Sequence, residues 1–106
     1  MSTFRFETER RPGALVVRLF GEFDLSAFEQ VDELLAAALR DRDSDVLVDL
    51  RALEFMDSSG IRALLGAHGR AEAIGARFSL IRGPEPVHRV MELTGLDRRL
   101  HFVDGS

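Results

Sequence analysis

The stretch Val46-Leu47-Val48-Asp49-Leu50-Arg51-Ala52-Leu53-Glu54-Phe55-Met56-Asp57-Ser58-Ser59-Gly60-Ile61-Arg62-Ala63-Leu64-Leu65 decides how this chain folds. Val46 to Leu50 is a short, nearly continuous apolar run, as expected of a central strand covered on both faces. Arg51 to Met56 reads as a short connection. A helix then starts at Asp57 or Ser58 and runs to about Ile74, with Gly75 as its stop. Within it Ile61, Leu64, Leu65, Ala67, Ala71 and Ile74 recur at helical spacing and share one broad arc. The opposite arc holds Arg62, Gly66, Gly69, Arg70 and Ala73.

Upstream, Phe4 to Glu9 alternates apolar and polar residues like a half-buried strand. Arg11-Pro12-Gly13 supplies a turn, and Ala14 to Phe20 forms a more buried partner strand, so the two make a hairpin. Gly21-Glu22-Phe23-Asp24 leads out of that strand. Ser26 with Glu29 three residues on matches a helix capping box. Phe28, Val31, Leu35, Ala38 and Leu39 then mark a helix that Asp41-Arg42-Asp43-Ser44 ends. Downstream, Arg77 to Ile81 is a strand. Pro84 or Pro86 opens a third helix carrying Val87, Val90 and Met91, and Gly95 is placed as its C-cap, followed by Leu96. Leu100 to Val103 forms an edge strand. The expected fold is α/β: one domain over residues 1–106, with a mixed four- to five-stranded sheet, an N-terminal hairpin and helices packed against it.

Composition narrows the function. With 106 residues, 45% hydrophobic and 30% charged, the chain suits one globular core. No apolar run approaches the roughly 20 residues needed to span a bilayer, and no signal peptide is visible, so a cytoplasmic protein is expected. The chain has no cysteine, which removes disulfides, thiolate chemistry and the strongest metal ligand. The net charge is −4 and all 14 cationic side chains are arginines. The arginine pairs Arg10-Arg11 and Arg98-Arg99 are isolated, so nothing forms the basic stripe that direct nucleic-acid binding requires.

The chemistry gathers at Asp57-Ser58-Ser59-Gly60. Free N–H groups and the positive end of a helix dipole meet there, and an anion is favoured. Asp57 or Ser58 is either a plain N-cap, worth about 1 kcal/mol, or part of a site where a serine takes a phosphate, adding about −1.5 to −2 charges. Spacing leaves both open.

The run from Val46 to Leu65 closely resembles the core of STAS domains, in particular the bacterial anti-sigma factor antagonists. Gly21-Glu22-Phe23-Asp24 is similar to that family's short motif after the second strand. Val87-His88-Arg89-Val90-Met91-Glu92-Leu93-Thr94-Gly95-Leu96 resembles its third helix and glycine stop. The resemblance implies a partner-switching protein. Its unphosphorylated form binds an anti-sigma factor that is itself a serine kinase, releasing the sigma factor. The kinase phosphorylates the serine after the aspartate, here Ser58, with Ser59 the lesser candidate. The modified form dissociates, and a PPM-type phosphatase resets it. The partner-binding surface is expected to include Asp24, Asp57, Ser58, Ser59, Gly60, Arg62, Gly66, Gly69 and Arg70, with Asp24 reading equally well as a turn-stabilising aspartate. The two glycines either let a partner helix approach a flat outer face, with Arg62 and Arg70 at its margins, or reflect neutral drift on a surface already held by packing. Phe23 and Leu25 either belong to the same surface or simply pack. Many relatives continue into a further C-terminal helix, which is expected here to be very short or missing.

Enzymatic function is not expected. Asp57 and Ser58 are adjacent and cannot act as orienting acid and nucleophile, and no Gly-x-Ser-x-Gly elbow or phosphate-binding glycine loop occurs. Asp49, inside an apolar run, suits a structural hydrogen bond, and His68 leans to the packed side of its helix. His88 and His101 read as isolated, without metal-ligand spacing. No metal or cofactor is expected, and the chain is expected to be a monomer or weak dimer. The competing reading within the fold is a STAS scaffold or regulatory module that works without a phosphorylation cycle.

Overall fold

The computed structural model describes residues 4–40 and 45–105. Strands β1 (Arg5–Arg11) and β2 (Ala14–Phe23) form the expected hairpin. They are followed by α1 (Leu25–Ala38), β3 (Asp45–Met56), α2 (Ser58–Ile74), β4 (Phe78–Ile81), α3 (Glu85–Leu93) and β5 (His101–Val103). The five strands lie in the order β1-β2-β3-β4-β5. β1 pairs antiparallel with β2, and every later pairing is parallel. The segment Asp41 to Ser44, expected to end the first helix, lies outside the described residues; the helix itself stops at Ala38 with Leu39 as its cap.

Each parallel neighbour is reached through one helix. Such crossovers are right-handed almost without exception, so a strand order that runs in sequence puts all three helices on one face of the sheet. The core agrees. Val31 and Leu35 of α1, Leu64 and Ala67 of α2, and Val87 and Met91 of α3 share one cluster with Val17, Val48, Leu50 and Leu80 of the sheet. Val16 and Ile81 are buried but stand outside that cluster. β3 is therefore covered by helices on one side only. Its other side carries Leu47 and Asp49, with Arg18 beside Asp49 on β2.

Asp49 is the polar member of that outer face. Burial works against its charge, but the side-chain and backbone hydrogen bonds from Arg51, with the nearby charges of Arg51 and Arg18, outweigh burial and hold its carboxyl below the ordinary value. Arg51 reaches it through Nε at 3.0 Å and Nη2 at 2.9 Å, and through its own backbone N–H at 3.0 Å. Asp49 makes the structural hydrogen bonds its sequence position suggests.

Several boundaries differ from the sequence reading, and those at the ends of β2 and β3 have one cause. β2 continues through Gly21 to Phe23, and β3 continues through Arg51 to Met56, because the two stay paired to their ends. Irregular register steps and the left-handed backbone of Gly21 (φ 89°) absorb the mismatch that made both segments look like loops. Since β2 ends at Phe23, α1 begins earlier than the Ser26–Glu29 pattern suggests. Asp24 is its N-cap, and Ser26 lies inside the first turn. β1 spans Arg5–Arg11 rather than Phe4 to Glu9, and Arg77 and Leu100 fall outside β4 and β5, although Leu100 still joins the core.

Candidate switch site

The parallel ends of β2 and β3 set the geometry. Phe23 pairs with Met56, and the Asp57 N–H donates to the Phe23 carbonyl at 3.2 Å. Each strand then turns into a helix through a single aspartate in extended conformation, Asp24 (φ −115°, ψ −170°) and Asp57 (φ −108°, ψ −166°). Each carboxylate accepts a hydrogen bond from the backbone N–H two residues on: Ser26 at 2.9 Å for Asp24, and Ser59 at 2.8 Å for Asp57. The Ser26 hydroxyl adds a bond to Asp24 and is the main cause that lowers its pKa, with the Ser26 N–H second. Two helix starts of the same construction thus stand next to each other.

This settles the role of Asp57, which is the cap, and frees Ser58 from that task. Ser58 is the first residue of α2, and it is exposed. The equivalent place on α1 holds Leu25, which is 69% exposed. Ser59 is buried in the first turn. Gly60 is fixed by packing: a Cβ there would run into Met56 Cγ and lie 2.7 Å from Met56 Sδ and 3.3 Å from Phe23 Cγ. A side chain at residue 60 would therefore force Met56 or the helix start that carries Ser58 to shift.

Farther along α2, the expected outer face divides in two. Arg62, Gly66 and Arg70 follow one another at four-residue intervals along the seam with α1. The Arg62 guanidinium lies over the Phe28 ring at 4.8 Å, and Arg70 Nη1 lies 3.1 Å from Asp32 Oδ1. A Cβ on Gly66 would sit 3.7 Å from Arg70 Nη1, ordinary contact, whereas one on Gly69 would meet nothing within 4 Å. Arg62 and Arg70 are thus bound to α1, and Gly69 alone of the two glycines faces open space.

Two further residues join the same end of the sheet. Phe23 is fully buried and simply packs, but Leu25 stays on the surface. Phe55, 45% exposed, was not singled out from sequence. β3 steps past Glu54 so that Phe55 stands opposite Glu22, which turns the ring outward between buried Leu53 and Met56. The signal was present as an aromatic residue out of phase with the strand's alternation. Elsewhere, His88 is not isolated. It lies four residues before Glu92 on α3, and the fold brings Asp97 to both.

The STAS domain family model matches residues 5–105 of this chain. The anti-sigma F factor antagonist of Paenibacillus polymyxa is 31% identical over 103 residues, covering 96% of this chain and 88% of the relative. The solved structure of the anti-sigma factor antagonist SpoIIAA in its unphosphorylated form superposes with a TM-score of 0.83 at 30% identity, covering 96% of this chain and 89% of that one. The Bacillus cell fate determinant SpoIIAA in its phosphorylated form gives a TM-score of 0.76 at 29% identity, covering 96% and 92%.

Proposed function

Because this chain belongs to the STAS domain family, we propose that it is an anti-sigma factor antagonist switched by phosphorylation of Ser58. The observation that carries the reading is the position of Ser58, exposed as the first residue of α2 while Asp57 holds the cap. Its hydroxyl is open to a kinase, whereas the burial of Ser59 disfavours the alternative acceptor.

The partner is an anti-sigma factor with serine kinase activity. It docks on the carboxyl end of β2 and β3, where exposed Leu25 and Phe55 offer apolar contacts around Asp24, Asp57, Ser58 and the backbone at Ser59-Gly60. Along α2 the surface continues past Arg62, Gly66 and Arg70 on the α1 seam to the open position at Gly69.

A phosphate on Ser58 acts in opposite directions on the folded chain and on the complex. At a helix N-terminus the added charge is favourable by about 0.3–1 kcal/mol, so the domain keeps its fold. Inside a docked interface the same dianion, close to Asp57 and Asp24, meets like-charge repulsion and desolvation. A loss of about 3 kcal/mol there weakens binding more than a hundredfold. A PPM-type phosphatase restores the binding form.

The test is to incubate the protein with ATP and the anti-sigma factor kinase encoded nearest to it, then map phosphate by mass spectrometry. One phosphate on Ser58, absent from Ser58→Ala, is expected. No modification together with no binding of the unphosphorylated protein would instead favour a STAS module without a phosphorylation cycle.

A further inference from the structure

α3 and the turn after it assemble a second group of chemically active side chains, on the far side of the sheet from the β1 hairpin. His88 and Glu92 are four residues apart and share one face of the helix. Gly95, with φ 76°, then reverses the chain, and the N–H groups of Leu96 and Asp97 both donate to the Met91 carbonyl, at 2.9 and 3.3 Å. That pair of hydrogen bonds to one carbonyl folds Asp97 back over the last turn of α3. One ring nitrogen of His88 and one carboxylate oxygen each of Glu92 and Asp97 come to lie within 4.8 Å of one another.

Two features of this cluster lack internal compensation. His88 is only 6% exposed, and its Nδ1 is buried with no hydrogen-bond partner among the described residues. Leaving such an atom unpaired is costly, and native structures rarely do so without reason. Glu92 and Asp97 bring two negative charges together, yet neither has an ion-pair partner among the described residues. The imidazole is also held in place, since the Phe102 ring of β5 packs edge-on against it at 5.2 Å and 81°.

We propose that His88, Glu92 and Asp97 form a site for a divalent transition-metal ion such as Zn2+. A neutral imidazole with two carboxylates offers two negative charges to a doubly positive ion, and this mix of nitrogen and oxygen donors suits zinc and its first-row neighbours. Donor atoms around a tetrahedral zinc stand about 3.4 Å apart, so the cluster must tighten on binding. Glu92 is exposed and Asp97 half-buried, so the two carboxylates are free to turn inward while His88 stays fixed. With three protein ligands, the fourth position is left to water or to a partner's side chain. The bound ion would tie the end of α3 to the turn that leads into β5. This site is separate from Ser58 and stands whether or not the phosphorylation reading does.

The full chain, free of any affinity tag and titrated with ZnCl2 by isothermal calorimetry, is expected to bind one ion per molecule. In parallel NMR spectra, the His88 imidazole resonances shift as the ion is added. Glu92→Gln and Asp97→Asn each weaken binding about tenfold or more, and the double variant loses it. These two carboxylates are not part of the core, so the test does not depend on a His88 variant that fails to fold. His68→Gln serves as control, because His68 Nε2 lies 3.5 Å from Glu72 at the same four-residue spacing on α2. It is expected to bind like the parent. The proposal is overturned by the absence of saturable binding, by equal binding in the Glu92/Asp97 double variant, or by loss of binding in His68→Gln.

Discussion

The glycines of α2 allow one substitution to be compared at two sites on a single helix. Gly60→Ala and Gly69→Ala both replace a helical glycine of negative φ, and alanine is intrinsically favoured at such a position by about 0.5–1 kcal/mol. At Gly69 nothing opposes that gain, since the new methyl meets no atom within 4 Å. At Gly60 the methyl collides with Met56 Cγ and comes within 2.7 Å of Sδ and 3.3 Å of Phe23 Cγ. Met56 is 1% exposed and Phe23 0%, so neither side chain can swing into solvent, and the helix start has to move. Overpacking of this kind costs about 1–3 kcal/mol. The net result is a loss of up to about 2.5 kcal/mol for Gly60→Ala against a gain of about 0.5–1 kcal/mol for Gly69→Ala. At about 4 °C per kcal/mol, the melting temperatures move in opposite directions by several degrees. The chain has no tryptophan or tyrosine, so the assay is urea and thermal unfolding followed by far-ultraviolet circular dichroism. Gly60→Ala equal to or more stable than Gly69→Ala would show that the packing argument for the switch turn is wrong.

Asp49→Asn should destabilise the domain by about 1–3 kcal/mol at neutral pH, because charged hydrogen bonds to Arg51 are lost. The folded-state pKa of Asp49 is depressed, so its contribution is present above the unfolded value of about 3.9 and disappears as pH falls through the folded value. Denaturation of both proteins at pH 7 and near pH 3 checks this: the gap between them must shrink on acidification. Leu25→Ser, at a 69% exposed position, is expected to leave stability within about 0.5 kcal/mol and to weaken the anti-sigma factor complex about tenfold or more in calorimetry. Gly66→Gln with Gly69→Gln tests the α2 side of the same surface. A Cβ at Gly66 meets only ordinary contacts and one at Gly69 meets none, so unchanged partner affinity would remove that side from the interface.

Much of this fold was legible because its signals are local. The hairpin, the alternation of strands and helices, and the stops at Gly75 and Gly95 all rest on residues close in sequence. What was not legible depended on pairing between distant segments. Nothing in Gly21-Glu22-Phe23 or Leu53-Glu54-Phe55-Met56 alone reveals that each extends a strand, since their alternation is broken by irregular steps that only the partner strand explains. The error at the start of α1 follows from it. Ser26 with Glu29 is a sound capping pattern, but Asp24 comes first once β2 reaches Phe23. At the start of α2, sequence located the helix start and named its candidate residues. The division of labour, with Asp57 capping and Ser58 exposed, required the backbone geometry. The α1 seam that occupies Arg62 and Arg70 was invisible for the same reason, because their partners Phe28 and Asp32 lie more than thirty residues away.

The central claim is that a phosphate on Ser58 turns off a protein interface. It is tested most directly by calorimetric titration of the cognate anti-sigma factor with the unphosphorylated protein and with the protein stoichiometrically phosphorylated at Ser58. The account predicts tight binding of the first form and affinity reduced more than a hundredfold, roughly 3 kcal/mol, for the second. Equal affinity of the two forms would contradict it.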